Sequence, residues 1–293
     1  MAQSALLLSR IVAHSITATV RAGKIIRDVM NHGCLNIVEK GKDDLQTEAD
    51  RCAQRCIIAS LSHQFPNITI IGEEEPSNCE VPSEWIVTEA DPEVLKLQLP
   101  AHLENIDAKD VCIWVDPLDG TSEYTQGFVE HVTVLVGVAI GKRAVGGVIH
   151  QPYYKNPEND VLGRTLWGIN GVGFGGFTPA VAPAGKRIVT TTRSYKCNLF
   201  ILHTIYLFQL HQHWKAHAYV FASKGCKRWD TCAPEAILHA IGGTLTDFYG
   251  DRYSYNAETP YPNVKGVLAT APGEIHQWYL NKIPDEVKQK LKQ

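Results

Sequence analysis

The sequence predicts an α+β fold with two units, one over residues 1–150 and one over residues 151–293. Near the N-terminus, apolar residues recur at intervals of three and four, which is the period of an amphipathic helix. Farther along, apolar or alternating runs at 132–140, 144–150 and 161–168 are joined by glycine-containing turns, a pattern typical of antiparallel strands. With 293 residues, 44% of them hydrophobic and 20% charged, the chain can bury one large core or two smaller ones, which excludes a disordered or collagen-like chain.

The first unit contains two long helices and a buried strand. Gly33 ends the first helix, and Thr47 begins the second. The run 111–115 is apolar throughout and is followed by Asp116, so it predicts a buried strand that delivers this carboxylate to a crevice. Residues 76–110 are polar and contain several prolines, which indicates a surface excursion. The predicted elements of this unit are helices at 4–32, 47–65, 93–97 and 121–126 and further strands at 68–71 and 111–115.

The second unit combines a helix with several short strands. Its glycine-rich stretch, 171–176, matches G-x-G-x-x-G, but Pro179 follows too soon for a helix to begin there. We therefore expect a β-turn at these glycines and no dinucleotide site. The predicted elements of this unit are strands at 187–191, 217–222, 243–248 and 264–270 and a helix at 232–241.

Charge and cysteine usage exclude several classes of partner. The chain has 28 Lys and Arg against 31 Asp and Glu, a formal charge of −3, which draws it to neither nucleic acid nor an anionic membrane. No apolar run approaches the roughly 20 residues of a membrane span. The 8 cysteines are scattered without a Cys-x-x-Cys pair, so reduced thiols are expected rather than a disulfide framework or a zinc ribbon. We expect a cytoplasmic protein that is a monomer or a weak dimer.

The segment 116–121 carries the strongest chemical signal. Asp116 and Asp119 are three residues apart across Pro117, and the Leu118 carbonyl between them adds a neutral oxygen. Oxygen donors of this kind favour Mg²⁺ over zinc. Gly120 and Thr121 then open a short helix, whose free N–H groups favour an anion. A carboxylate cage beside such a helix is suited to the hydrolysis of phosphate esters.

Three further acidic segments lie at predicted strand ends, turns or helix starts. They are Gly72-Glu73-Glu74, Trp229-Asp230 and the stretch from Asp44 to Asp50, which places a hydroxyl and a carboxylate at the start of the second helix. A solvated acidic turn is the simpler alternative, and for Glu74, Glu75 and Glu123 it is equally well supported. Three histidines at 211, 213 and 217 suggest a metal site, but incidental histidines in a divergent stretch are the better interpretation.

These motifs together resemble those of the lithium-sensitive, magnesium-dependent phosphomonoesterases related to inositol monophosphatase. The matching motifs, in chain order, are Asp44-x-x-Thr47-x-x-Asp50, Gly72-Glu73-Glu74, Asp-Pro-Leu-Asp-Gly-Thr at 116–121 and Trp229-Asp230-x-x-Ala233-Pro234-Glu235. Stretches such as Gln151-Pro152-Tyr153-Tyr154 and Thr-Thr-Thr-Arg-Ser at 190–194 resemble most the branch of 3′(2′),5′-bisphosphate nucleotidases.

The resemblance implies a fold, a reaction and a set of site residues. The fold would be the layered α/β/α/β/α sugar-phosphatase architecture, and the reaction the release of phosphate from 3′-phosphoadenosine 5′-phosphate to give AMP, inhibited by Li⁺. Two or more Mg²⁺ ions would be bound, one by Glu73, Asp116 and the Leu118 carbonyl, another by Asp116, Asp119 and Asp230. Asp50 and Thr121 would orient and deprotonate water, supported by Thr47. Gly120 and Thr121 would bind the phosphate, and Thr192 would contact the nucleotide.

One segment, residues 195–217, departs from the family pattern. It is shorter than usual, contains no glycine and has Tyr195 where a histidine is common. The implied metal ligands lie outside it, whereas the adenosine contacts that the resemblance implies lie within it. Two alternatives therefore stay open: an inositol phosphate phosphatase of the inositol 1,4-bisphosphate type, or an impaired variant that binds metal without recognising the nucleotide.

Overall fold

The structure is a computed structural model that describes residues 6–41, 44–77, 79–157, 160–179, 185, 187–191 and 216–292. In the first part of the chain these residues form three helices, α1 (Leu7–His32), α2 (Glu48–Gln64) and α3 (Thr121–Gln126). The strands of this part are β1 (Val38–Gly41), β2 (Asp44–Gln46), β3 (Thr69–Gly72), β4 (Val111–Asp119), β5 (Thr133–Ile140), β6 (Arg143–Lys155), β7 (Leu162–Ile169) and β8 (Gly173–Gly175).

The later part of the chain adds a second set of strands and helices. Its described strands are β9 (Val189–Thr190), β10 (Ala218–Phe221), β11 (Thr244–Thr246) and β12 (Val267–Thr270). Its described helices are α4 (Arg228–Ala240), α5 (His276–Leu280) and α6 (Asp285–Lys292).

Both long N-terminal helices form where their end signals predict. Gly33 adopts a left-handed conformation (φ 75°), and its N–H donates to the carbonyls of Val29 and Met30, which ends α1. Thr47 caps α2: its hydroxyl accepts from Ala49 N, while Asp50 accepts from the Thr47 backbone. Capping of this kind depends on a few neighbouring residues, which is why these bounds could be predicted.

The described strands form a six-stranded sheet in the order β3-β4-β5-β6-β7-β8, with β3 and β4 parallel and the other neighbours antiparallel. Alternate residues of β5 pack into two different hydrophobic cores, one on each face of this sheet. Val134, Val136 and Val138 pack with α1 and α2. Leu135 points the other way and packs against Ala233 and Ile237 of α4.

Helix α4 lies between this sheet and a second, four-stranded one in the order β11-β12-β10-β9. The core around α4 combines Trp114 of β4 and Cys232 of the helix with Tyr219 of β10. On the outer face of the second sheet, Leu268 packs with Leu280 and Leu291 of the C-terminal helices. The described layers are therefore α/β/α/β/α, as predicted.

Several boundaries differ from the predictions. Strand β4 runs through Pro117 to Asp119 instead of ending at residue 115, and α4 begins at Arg228 instead of at 232. Residue 150 lies inside β6, so the predicted division between two units falls within a strand of the first sheet. In the glycine-rich stretch, Gly171 lies in a turn that is closed by a hydrogen bond from Val172 N to the Ile169 carbonyl (3.0 Å), whereas Gly173–Gly175 form the edge strand β8.

The excursion between β3 and β4 contains short 3₁₀ turns, among them the one predicted near 93–97, observed at Val94–Lys96. The helices α5 and α6 were not predicted. Thr192 and most of the divergent segment 195–217 lie outside the described residues, as do His211 and His213. His217 is described, and its Nδ1 accepts a hydrogen bond from Ile188 N (3.0 Å).

Two expectations about chemistry can be compared with the described part of the chain. Every cysteine there carries a free thiol. Among the described helices, none combines the length and apolarity needed to cross a bilayer.

Candidate active site

The end of β4 carries two of the predicted acids. Asp116 and Asp119 lie on either side of a register shift in the pairing of β4 with β5, and both are buried. Residues three apart on a regular strand point to opposite faces, so this irregularity is what lets both carboxylates line one cavity. Leu118 N donates to Asp116 Oδ1 (3.0 Å), and Thr133 Oγ1 donates to Asp119 Oδ2 (3.2 Å).

Gly120 turns the chain from β4 into α3. Its φ is +106°, and an added Cβ would lie 3.2 Å from the His131 carbonyl oxygen, so a side chain would be strained here. The turn places Thr121 beside the carboxylates of β4, in the wall of the same cavity.

Glu73 and Asp230 reach the cavity from two other elements. Because β3 runs parallel to β4, with Gly72 opposite Val115, its carboxyl end lies at the same edge of the sheet. Glu73 continues this pairing, since its N–H donates to the Val115 carbonyl (3.0 Å). Asp230 lies in the first turn of α4, where its Oδ2 accepts from Lys227 N (2.8 Å).

The cavity brings together residues that are far apart in the sequence. Its volume is about 30 Å³. Thr47 and Asp50 lie behind its wall and reach it through Thr121. The residues that line it are Asp44, Leu45, Glu73, Asp116, Leu118, Asp119, Gly120, Thr121, Ser122 and Asp230. All the predicted metal ligands are among them, while their individual roles stay predictions.

The carboxylates of the cavity destabilise one another. Burial, reinforced by the charges of Glu73, Asp119 and Asp230, raises the pKa of Asp116 well above its ordinary range. Burial and the charges of Glu73 and Asp119 likewise raise the pKa of Asp230. Burial also raises the pKa of Glu73, although the Lys40 ammonium opposes the shift. The site therefore concentrates negative charge that a cation would offset.

The donor set fits Mg²⁺ in chemistry. The described residues that line the cavity offer carboxylate, carbonyl and hydroxyl oxygens and neither imidazole nor thiol, which is the preference of a hard cation. Within the described ranges, no three His, Cys, Asp or Glu side chains already form a metal-binding cluster. The carboxylates share a cavity without closing into a ligand shell, so bound water or substrate would have to complete the coordination.

A hydrogen-bonded chain of three side chains adjoins the cavity. Thr121 Oγ1 lies 3.0 Å from Asp50 Oδ1, and Thr47 Oγ1 donates to Asp50 Oδ2 (2.5 Å). Asp50 is fully buried. Burial raises the pKa of Asp50 to about 7, against the opposing hydrogen bond from the Thr47 hydroxyl. A carboxylate with this pKa can exchange a proton with Thr121 near neutral pH.

The β1–β2 hairpin contributes to the site in a way that the sequence did not predict. Lys40 Nζ lies 2.9 Å from Glu74 Oε2, 3.5 Å from Glu73 Oε1 and 3.4 Å from Asp44 Oδ1. Gln46 also donates to Glu74, which is buried and therefore not a solvated acidic turn. The hairpin is thus tied to the acidic segment after β3. The sequence places Lys40 33 residues before Glu73, with no local pattern that relates the two.

The chain matches one family model along most of its length. The model of the inositol monophosphatase family matches residues 7–204 and 213–288. Human 3′(2′),5′-bisphosphate nucleotidase 1 is 44% identical over 310 aligned positions, which cover 99% of both chains. The mouse Golgi-resident adenosine 3′,5′-bisphosphate 3′-phosphatase is 29% identical, covering 95% of this chain and 82% of its own.

Solved structures agree on the fold alone. The extragenic suppressor protein suhB from Bartonella henselae matches with a TM-score of 0.62 at 18% identity, covering 96% of this chain and 97% of its own. Inositol monophosphatase II from Staphylococcus aureus matches with a TM-score of 0.62 at 14% identity, covering 94% of each chain. Sequence similarity is interrupted in one place: the family match stops at residue 204 and resumes at 213, inside the segment 195–217.

Proposed function

The chain belongs to the inositol monophosphatase family, and on that premise we propose that it is a Mg²⁺-dependent phosphomonoesterase of 3′(2′),5′-bisphosphate nucleotides. Its substrate would be 3′-phosphoadenosine 5′-phosphate, and its products AMP and phosphate. One observation carries the proposal: a buried carboxylate cavity that directly adjoins the Thr47, Asp50 and Thr121 chain. The 44% identity to a bisphosphate nucleotidase supports the choice of substrate.

Mg²⁺ would be held by Glu73, Asp116 and the Leu118 carbonyl at one position and by Asp116, Asp119 and Asp230 at another. When bound, it supplies positive charge that offsets the phosphoryl oxygens and makes water at the site easier to deprotonate. The raised pKa of Asp116 and of Asp230 in its absence supports this assignment, because both side chains are buried among like charges.

The protein's own residues would move the proton of the attacking water. Thr121 Oγ1 can receive that proton while its own hydrogen passes to Asp50 Oδ1, which lies 3.0 Å away. Thr47 holds the other carboxylate oxygen through its hydroxyl (2.5 Å) and its backbone N–H (2.8 Å), so that Asp50 cannot rotate away. Thr47 would therefore orient the base without taking the proton itself.

Substrate binding would use the mouth of the same cavity. Gly120 and Thr121 lie in its wall and would contact the phosphate that is released. Thr192, which lies outside the described residues, would contact the nucleotide.

We also propose Li⁺ inhibition, since a small cation could occupy one of the ion positions without activating water. Turnover unaffected by Li⁺ at concentrations that inhibit related enzymes would contradict the proposed Li⁺ inhibition.

The substitution Asp116→Asn tests the assignment. We expect it to abolish phosphate release from 3′-phosphoadenosine 5′-phosphate and to weaken Mg²⁺ binding measured by calorimetry, because one carboxylate would serve both ion positions. Asp28→Asn is a suitable control, since Asp28 is 46% exposed and pairs with Lys24 on the surface of α1. Wild-type turnover by Asp116→Asn would rule out the proposed metal site.

The interruption of the family match near residue 204 favours a second candidate, an impaired variant that binds metal without recognising the nucleotide. The alignment with the human relative, at 310 positions, is also longer than the 293-residue chain. Titration with 3′-phosphoadenosine 5′-phosphate, with and without Mg²⁺, separates the candidates. Nucleotide binding and turnover support the nucleotidase, and metal binding without nucleotide binding supports the impaired variant. Preferential release of phosphate from inositol 1,4-bisphosphate would indicate an inositol phosphate phosphatase.

We also propose a cytoplasmic location and a monomer or weak dimer as the working state. The free thiols of the described cysteines support a reducing compartment. Cell fractionation and analytical ultracentrifugation would test the two points. A Golgi-enriched distribution or a stable higher oligomer would contradict them.

A further inference from the structure

Lys227 lies at the edge of the acidic cavity, at the residue before α4. Its Nζ is 3.6 Å from Oδ2 of Asp44, which lines the cavity. Its backbone N–H donates to Asp230, which also lines the cavity. The ammonium also lies 5.3 Å from the centre of the Trp229 ring, and the side chain is 24% exposed. An ammonium group is therefore in place between the cavity and solvent.

Tyr261 lies beside Lys227 on a neighbouring loop. Its carbonyl accepts from Arg228 N (2.9 Å), and Pro262 forms a β-bridge with Lys227, so this loop is fixed to the start of α4. The Tyr261 ring is centred 5.2 Å from Trp229 and 5.7 Å from Trp114. Both tryptophans are buried, but Tyr261 is 46% exposed. The Tyr261 ring therefore packs on buried aromatic residues while part of its surface stays exposed to solvent.

We infer that Lys227 and Tyr261 recognise the part of a bisphosphate nucleotide that stays on the product, Lys227 binding the second phosphate and Tyr261 stacking on the base. This inference rests on the proposed function. One phosphate of the substrate would enter the acidic cavity, and the other would remain outside it, where only a cation can offset its charge. Lys227 provides that cation, and the exposed Tyr261 ring provides a stacking surface of the kind that bases use.

The ion pairs of the hairpin allow Lys227 to change partner. Asp44 is also paired with Lys40, whose Nζ lies 3.4 Å from Oδ1. If the Lys227 ammonium turned to a phosphate, Asp44 would keep one cation. Both ammonium groups offset cavity acids: Lys40 contacts Glu73 and Glu74, and the Lys227 charge opposes the raised pKa of Glu73 and of Asp230. Lys227 is the one that lies beside the Tyr261 loop.

Steady-state kinetics with three substrates test the assignment. Lys227→Met should raise the KM for 3′-phosphoadenosine 5′-phosphate about 10-fold, the loss expected for one charge-assisted contact, with kcat nearly unchanged. The KM for adenosine 3′-phosphate, which lacks the second phosphate, should not change, and Lys227→Arg should recover part of the loss.

The stacking role of Tyr261 has its own test. Tyr261→Leu, which keeps an apolar side chain over Trp229, should raise the KM for both nucleotides about 10-fold. Tyr261→Leu should leave the KM for inositol 1,4-bisphosphate unchanged, and Tyr261→Phe should have the KM values of wild type.

Tyr249→Leu is the matched control. Tyr249 is a 40% exposed tyrosine that also lies near lysines, but these are Lys265, Lys288 and Lys292 beside the C-terminal helix. Its substitution should leave every KM unchanged. A Lys227→Met variant that raises the KM for all substrates equally, together with weaker Mg²⁺ binding, would show that Lys227 is merely a counter-ion of the carboxylates and would overturn the inference. An unchanged KM in Tyr261→Leu would overturn the assignment of the base.

Binding of AMP, measured by calorimetry, separates this inference from the proposed function. If the wild-type chain turns over no nucleotide, the proposed function fails, but the AMP titration still reports on these two residues. The inference then holds if wild type binds AMP and both Lys227→Met and Tyr261→Leu bind it about 10-fold more weakly. Equal affinities, or no AMP binding by wild type, would overturn it.

Discussion

His150 shows how one buried side chain links the fold to pH. It lies in β6 at 3% exposure, with Nδ1 2.8 Å from Thr165 Oγ1. Burial, and then the Arg27 guanidinium, lower the pKa of His150 to about 3. The neighbouring Gly23 of α1 leaves room for the ring, since an added Cβ there would lie 2.4 Å from His150 Nε2. The folded protein therefore holds a neutral imidazole against α1.

We predict that His150 makes stability fall as the pH falls from about 6.5 towards 3. The unfolded chain binds a proton at His150 in this range and the folded chain does not, so the free energy of unfolding loses about 1.4 kcal/mol per pH unit from this group. Above about pH 6.5 the contribution is constant. His150→Asn should flatten the slope by about this amount in urea unfolding between pH 6 and pH 4. The exposed His63 gives a control, His63→Asn, and equal slopes for His150→Asn and wild type would contradict the prediction.

Three glycines of the first sheet form the surface on which α4 packs. Gly137, Gly147 and Gly168 pair with one another across β5, β6 and β7. An added Cβ would lie 2.5 Å from Cys232 Cβ at Gly137, 2.3 Å from the Ala233 oxygen at Gly147 and 2.9 Å from Ile237 Cα at Gly168. The helix that carries Asp230 therefore touches the sheet backbone. The position of one cavity carboxylate depends on this close approach.

We predict that Gly147→Ala lowers the free energy of unfolding by about 1–3 kcal/mol, because the methyl group meets the backbone of α4 and forces the helix away from the sheet. Mg²⁺ binding should weaken as well, since Asp230 moves with the helix. Gly173→Ala in β8 is the control, because a Cβ there meets no described atom within 4 Å. Urea unfolding and calorimetric Mg²⁺ titration measure both effects, and a Gly147→Ala protein as stable as Gly173→Ala would refute the packing argument.

At the scale of the whole chain, the cavity residues and the segment from which the resemblance implies adenosine contacts are separate stretches of sequence. The cavity carboxylates come from β2, from the ends of β3 and β4 and from α4, all within described residues. The segment in which the family match is interrupted lies elsewhere in the chain, at 195–217. A change confined to that segment should therefore alter nucleotide binding and leave Mg²⁺ binding as it is, adding to the contacts proposed for Lys227 and Tyr261.

We predict that replacing residues 195–217 with the glycine-containing segment of related nucleotidases raises kcat/KM for 3′-phosphoadenosine 5′-phosphate. Regaining a few stacking and hydrogen-bond contacts, about 2–4 kcal/mol, corresponds to roughly 30- to 1000-fold. Mg²⁺ affinity should stay the same, because the cavity is unchanged. The same graft carrying Asp116→Asn should remain inactive. A folded graft with unchanged kcat/KM would show that the segment adds nothing to the contacts proposed for Lys227 and Tyr261.

Features that depend on neighbouring residues could be predicted from the sequence. Thr47 and Asp50 cap α2, Gly33 ends α1, and the apolar run of β5 identified a strand, because capping and a short apolar run each involve only a few neighbouring residues. The acids at the ends of β3 and β4 were recognised for the same reason. Their motifs are local.

Tertiary structure alone decided a second group of contacts, which no motif in the sequence indicated. These contacts join residues from distant parts of the chain. They are the pairing of Lys40 with Glu74, the packing of α4 on the three glycines of the first sheet, and the position of Tyr261 beside Lys227. Such contacts follow from the parallel pairing of β3 with β4 and from the place of α4 between two sheets. No short-range pattern encodes them, because the free energy of each contact is gained only after the layers have packed.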